Sequence, residues 1–128
     1  MGGLKPHYIR IVPGDQLPNL AQYAPFKAVV ALNASYSDDW QNEVSDWLVE
    51  SGCRYMMAWG PNCSSWDDSL DWADMRARNY EDDDSKFVMT TWHDKETLES
   101  AFWYAQFCAM FSYDDVELKE RYWSTLAV

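Results

Sequence analysis

Positive charge is scarce in this chain. Ten Lys and Arg stand against 21 Asp and Glu, a formal net charge of −11. A surface of that sign repels phosphate backbones and anionic headgroups, which argues against direct nucleic-acid binding and against docking on a membrane. Long apolar runs are missing too. None approaches the roughly 18 residues needed to cross a bilayer. The opening MGGLKPHYIR lacks the apolar centre of a secretory signal. A cytoplasmic protein is therefore expected. Three cysteines cannot all pair within one chain, and none sits in a C-x-x-C, so neither a disulfide scaffold nor a structural zinc site is expected. No H-E-x-x-H or H-x-E pattern occurs, and no metal is anticipated. The five glycines form neither G-x-G-x-x-G nor G-x-x-x-x-G-K-[ST]. That argues against dinucleotide enzymes and P-loop enzymes, and no cofactor is implied.

What the chain does have is apolar and acidic. Its 128 residues are 48% hydrophobic, enough for one real core in a single domain spanning 1–128. Aromatics reach 16%, with eight Trp and eight Tyr. Acid is concentrated: residues 38–84 hold 13 carboxylates against three bases, Arg54, Arg76 and Arg78.

Strand and helix patterns alternate. His7–Val12 reads as a first strand, closed by Pro13-Gly14. Residues 13–25 carry three prolines and read as an irregular connection. Phe26–Leu32 and Cys53–Trp59 are near-continuous apolar runs, the pattern of strands covered on both faces. Between them lies a helix with Ser37 as N-cap, Trp40, Val44, Trp47 and Leu48 as its apolar stripe, and Gly52 as its stop. A second helix starts near Ser64 or Ser65, with Trp66, Leu70, Ala73 and Ala77 inward. Lys86–Thr91 reads as a strand, and Asp94 as the cap of a third helix over Lys95–Phe111 that is apolar almost all round. Glu120–Val128 reads as a short last strand. Strands alternating with helices imply right-handed crossovers. The expected fold is a small three-layer α/β protein of Rossmann-like or flavodoxin-like type, its mostly parallel sheet carrying helices on both faces. The first strand is free to take an edge, because no helix separates it from the second.

In an open parallel sheet, ligands meet the carboxyl ends of the strands. The loops expected there hold Trp59, Asn62, Cys63, Ser64, Asp67 and Asp68 in one group and Thr91, Trp92, His93 and Asp94 in the other. Indoles at Trp59 and Trp92 could stack on a flat ligand, with Asn62, Ser64, Asp67 and His93 hydrogen-bonding to it. Cys63 and His93 are the candidates for chemistry: a thiol before a helix as nucleophile, an imidazole as its base, and Asp67 or Asp94 to orient the ring. The C-x5-R phosphatase loop fails, because position 69 is Ser. A small residue packed under a helix start is the commoner fate of such a cysteine. Charge in a first helical turn is the commoner use of Asp67 and Asp68.

Acid rows are the second signal. Asp39, Glu43, Asp46 and Glu50 follow helical spacing on the first helix, and Asp67, Asp71 and Asp74 on the second. Each row is expected opposite its helix's Trp-bearing stripe. Rows of like charge self-repel by a few tenths of a kcal/mol per pair. They can serve solubility, or steer the protein onto a basic partner.

Trp59-Gly60-Pro61-Asn62-Cys63-Ser64-Ser65-Trp66-Asp67-Asp68-Ser69 and Val88-Met89-Thr90-Thr91-Trp92-His93 resemble the W-G-x-x-C-S-x-W-D-D-S and V-M-T-T-W-H motifs of a family of small bacterial proteins, a domain of unknown function. The resemblance covers roughly residues 26–110 and is weakest from Asp114 onward. It implies the α/β arrangement and draws attention to the rim residues, but supplies no reaction, cofactor or partner.

The leading expectation is a binding protein rather than an enzyme: an acidic, inhibitor-like or immunity-like module that neutralises a basic protein through Asp39, Glu43, Asp46, Glu50, Asp71 and Asp74. The alternative is a nucleotide-like small-molecule site, or a hydrolytic one, at the strand ends. Homo-oligomerisation through the helix carrying Trp103, Phe107 and Met110 is compatible with either.

Overall fold

The computed structural model describes residues 7–24, 26–80, 87–107 and 123–127. Five parallel strands form one sheet: β1 (His7–Arg10), β2 (Phe26–Ala31), β3 (Cys53–Trp59), β4 (Met89–His93) and β5 (Trp123–Ala127), in the order β1-β5-β2-β3-β4. Three helices connect them: α1 (Asp38–Ser51), α2 (Cys63–Ala77) and α3 (Leu98–Phe107). β1 takes an edge, and β5 enters between it and β2.

All six residues of β2 are buried, as an apolar run covered on both sides requires. Its alternate residues feed two cores. Phe26, Ala28 and Val30 join Trp40, Val44 and Leu48 of α1 and Trp66 and Leu70 of α2 on one face. Val29 packs with Tyr55, Met57 and Ala105 of α3 on the other. The chain thus steps across the sheet from β2 to β4 over one face, and α3, which follows β4, packs on the opposite face against β2 and β3. Ile11, just past β1, and Leu20, beside a 3-10 turn at Ala21–Tyr23 in the following connection, enter the α1 and α2 core. Truncating a fully buried side chain there, such as Leu48, costs about 2–5 kcal/mol.

The ends of α1 follow local chemistry. The Trp40 N–H donates to Ser37 Oγ at 3.2 Å, and Asp38 and Asp39 occupy the first turn. Gly52 closes the helix at φ +104°, and a Cβ there would fall on the Ala24 side chain. Between α1 and α2, buried Gln41 donates to the Ser65 carbonyl at 2.8 Å and to Ser69 Oγ at 2.6 Å.

β1 ends at Arg10 rather than Val12 and β2 at Ala31 rather than Leu32, and three boundaries nearer the rim also differ from the sequence expectation. α2 begins at Cys63, one residue before Ser64. Its N-cap, Asn62, takes a left-handed backbone (φ 59°) and makes no side-chain cap. β4 is Met89–His93 rather than Lys86–Thr91. Its ladder with β3 runs on through Ala58↔Trp92 and Trp59↔His93, which places the Thr-Thr-Trp-His segment in the strand and not in the loop after it. α3 begins at Leu98, and Thr97 caps it in place of Asp94: the Ser100 N–H donates to Thr97 Oγ1 at 3.0 Å. The expected extension of this helix to Phe111 lies outside the described residues, as do Glu120–Tyr122 and Val128 of the expected last strand.

Candidate functional site

Because every strand runs the same way, the chain segments after β3 and β4 meet at one rim. α2, which follows β3, lies on one face. α3, which follows β4, lies on the other. Adjacent strands whose connections part in this way open a crevice between their carboxyl ends. The structure therefore brings Trp59, Asn62 and Cys63 to the same edge as His93 and Asp94.

Strand parity then decides which side chains can cooperate. Trp92 pairs with Ala58 and shares the α1 and α2 face, whereas Trp59 pairs with His93 and shares the α3 face. The two indoles point to opposite sides of the sheet and cannot sandwich one ligand. Trp59 Nε1 instead donates to the Glu96 carbonyl at 2.7 Å, tying β3 to the turn after β4. The Cys63–His93 pairing fails for the same reason. Cys63 is buried under the start of α2 in the first core, while the His93 ring stacks 4.8 Å from Tyr104 of α3. Burial raises the Cys63 thiol above its ordinary pKa, opposed in part by the backbone of His93 beside it. That is the reverse of nucleophile activation. Asp67 and Asp94 do not orient the ring either. Glu96 Oε1 lies 3.1 Å from His93 Nδ1, close enough for an ion pair but not aligned for a hydrogen bond.

On the α3 face a polar group surrounds His93 that the sequence did not reveal. Thr91 Oγ1 and His93 Nε2 are hydrogen-bonded at 3.0 Å, with the donor set by the imidazole tautomer. Tyr104 and Tyr55 share a hydroxyl–hydroxyl bond of 2.8 Å, and Ser100 Oγ donates to Glu96 Oε2 at 3.0 Å. Contact with His93, reinforced by Ser100, holds the Glu96 carboxyl below its ordinary pKa. Glu96 lies on a turn with no periodic signal, and Tyr55 and Tyr104 sit in strand and helix patterns, so no sequence rule joined them. Lys27 was equally hidden inside an apolar run. It is buried on the α3 face, and its Nζ donates to the Ala105 carbonyl at 3.1 Å.

Of the other expected ligand residues, Asn62, Ser64 and Asp68 are exposed, Thr91 is half-buried, and Asp67 is buried. Two pockets of about 190 Å3 each lie away from the rim. One sits at the amino ends of the strands between Cys53, Arg54, Asp74, Arg78 and Val88. The other lies between α1 and α2, beside Asp46, Glu50 and Arg76. Among the described residues, no group of three or more His, Cys, Asp and Glu is placed to hold a metal ion. No helix among them is long and apolar enough to cross a membrane.

The two acid rows have different fates. On α1, Asp39, Glu43 and Glu50 are exposed, and Asp46 pairs with Arg76 of α2 at 2.8 Å. On α2 the row does not lie opposite the Trp-bearing stripe. Asp67 and Asp74, seven residues apart, share the buried flank turned toward β4, and the outward face carries Trp72 and Asp68. Asp74 is internal: it accepts the Val88 N–H at 3.2 Å and lies 3.4 Å from Arg78 Nε. It is unavailable for docking. Asp71 is exposed and accepts from Thr90 Oγ1 at 3.0 Å, with burial and its acidic neighbours raising its pKa. On α3, Trp103 is exposed, whereas the Phe107 side chain and Met110 lie outside the described residues.

A parallel five-stranded sheet with two helices on one face and one on the other defines a small three-layer α/β protein. Residues 6–126 match the family model of a domain of unknown function, DUF7684, and the chain belongs to that family. The match extends beyond 26–110 in both directions and includes most of β5, where the motif resemblance was weakest. No curated protein and no solved structure matches the chain.

Proposed function

We propose that this protein is an acidic protein-binding module whose partner is basic. The observation that carries this reading is the surface along α2 and β4. Trp72 and Trp92 are roughly half exposed there, beside the exposed carboxylates of Asp68 and Asp71, and Met89 is exposed across the same edge strand on its α3 face. Large apolar side chains left in water next to acid favour a partner that offers apolar and cationic groups together. The exposed α1 acids Asp39, Glu43 and Glu50, which have no ion-pair partner among the described residues, add a long-range field that speeds encounter with such a partner. Neutralising a toxic or defensive basic protein, as inhibitors and immunity proteins do, is the form of this activity that the charge favours.

The test is comparative capture. Wild-type protein and a D39K/E43K/D68K/D71K variant serve as bait, and any partner identified is titrated at about 0.05 M and about 0.3 M salt. A basic partner retained by the wild type alone, with affinity falling as salt rises, is the expected result. A partner held equally by both baits, or unaffected by salt, refutes it.

A second reading, a small-molecule site on the α3 face, is favoured by the Thr91–His93–Glu96–Tyr104 group at the carboxyl end of β4. Thermal-shift screening against nucleotides, with Trp59→Ala and His93→Ala as controls, addresses it. A shift of several degrees that both controls abolish would promote it over protein binding.

A further inference from the structure

The two edges of the sheet are built differently. β1 is four residues long, ends in exposed Arg10, and is followed by Pro13-Gly14, all devices that discourage further strand pairing. β4 carries none of them. Its five residues, Met-Thr-Thr-Trp-His, include no Lys, Arg, Asp, Glu or Pro, and its ladder with β3 runs without a bulge. β4 ends the strand order, so its outer backbone groups have no strand partner among the described residues. Side chains on both faces of this edge are left in water: Met89 on the α3 face, where α3 packs over β2 and β3, and Trp92 on the α2 face, with Phe87, just before the strand, exposed under the Arg78 guanidinium. Such a strand is a template for one more, about 4.8 Å away.

We infer that β4 is a docking edge, and that its occupant is an extended basic segment of the partner protein, added to the sheet as a sixth strand. This rests on the protein-binding reading above and specifies how the partner is held. Charge selects the occupant. Asp71 of α2 accepts from Thr90 Oγ1 on one side, with exposed Asp68 one turn earlier on the same helix, and Asp94 and Glu96 follow the strand's end. Among the described residues Lys95 is the base beside those acids, while Arg54, donating from Nε to the Phe87 carbonyl at 3.3 Å, and Arg78, over the Phe87 ring, lie toward the strand's start. Alternate residues of an added strand would face Asp68 and Asp71, so Lys or Arg there gains both ladder bonds and ion pairs. A second copy of this chain would bring its own Asp68 and Asp71, within a net charge of −11, against the first.

The experiment uses the whole protein and synthetic peptides of about ten residues that alternate Lys and Val, long enough to span a strand. One version is unmodified, one carries N-methyl groups on alternate backbone nitrogens, and one has Glu in place of Lys. The unmodified peptide is expected to bind and to slow amide exchange across Thr90–His93. N-methylation, which removes ladder donors without touching the protein, is expected to weaken binding at least about tenfold, as is the D68K/D71K variant. The Glu peptide is expected not to bind. If the N-methylated peptide binds as well as its parent, or protection falls elsewhere, strand addition is overturned while the acidic-module reading stands. If the protein self-associates through β4, seen by sedimentation and lost in Thr91→Lys, the occupant is a second copy and the inference falls. If no peptide binds but a basic partner from the capture experiment does, the edge is not the site. If neither binds, both readings fail together.

Discussion

Replacing Asp74 with alanine separates an internal carboxylate from a docking one. In sequence Asp74 belongs to the same acidic spacing as Asp67 and Asp71. In the fold it is 2% exposed. Its Oδ2 accepts the N–H of buried Val88, and its Oδ1 stands 3.4 Å from Nε of a largely buried Arg78. Alanine leaves the Val88 donor without its acceptor, a loss of about 1–3 kcal/mol. It also breaks a buried pair, and removing one partner of such a pair costs about 3–5 kcal/mol. Arg78 keeps its stack on Phe87, 5.7 Å from guanidinium carbon to ring centre. That places the combined effect at the lower end of the summed range, at about 4 kcal/mol. Asparagine preserves an acceptor for Val88 and should cost roughly half as much. Asp39→Ala, at an exposed position, is the reference and should stay within about 0.5 kcal/mol of wild type. Urea unfolding with unchanged slope is the assay. If Asp74→Ala unfolds at the same denaturant concentration as Asp39→Ala, the carboxylate is not part of the scaffold and the argument for its internal role is wrong.

Burial lifts the Asp71 carboxyl above the ordinary carboxylate value, so its folded form holds the proton more tightly than the unfolded chain does. Its contribution to stability is therefore full at low pH and is lost as pH rises through the raised value. Asp71→Asn should be at least as stable as wild type at pH 7, with the difference closing as pH falls toward 4, and a variant less stable than wild type at neutral pH would contradict this. Burial likewise pushes the Cys53 thiol up to about 12 and raises Cys63. Peptide mapping after iodoacetamide treatment at pH 8 should find both unlabelled until denaturant is added, and the stability due to Cys53 should decline between pH 9 and 12; prompt labelling of either in the folded protein would refute their burial. Gly60 holds φ +112° at the turn leaving β3, and an added Cβ would strike the Leu32 carbonyl. Gly60→Ala should lower stability by more than the roughly 1–2 kcal/mol of the backbone conformation alone, as read from the melting temperature.

Much of the fold was legible because burial on two faces leaves a local signature. FKAVVAL and CRYMMAW had to be interior strands, and the Ser37 cap and Gly52 stop bounded α1 to the residue. Alternating strands and helices then required parallel pairing, and with it a shared rim. The extent of β4 was less legible. Trp and His look like loop residues when the run before them ends, and only the continuing ladder with β3 made them part of the strand. Composition and spacing by themselves thus determined the class of fold, the excess of negative charge and the run of exposed acids on α1. The tertiary structure alone decided which side chains share a face. A one-residue change of parity along a strand moves a side chain to the opposite side of the sheet, and that parity parted Trp59 from Trp92 and Cys63 from His93. Helix rotation against β4 likewise buried Asp74 and left Asp71 beside an open edge. Both depend on packing between segments far apart in the chain, which no local pattern records.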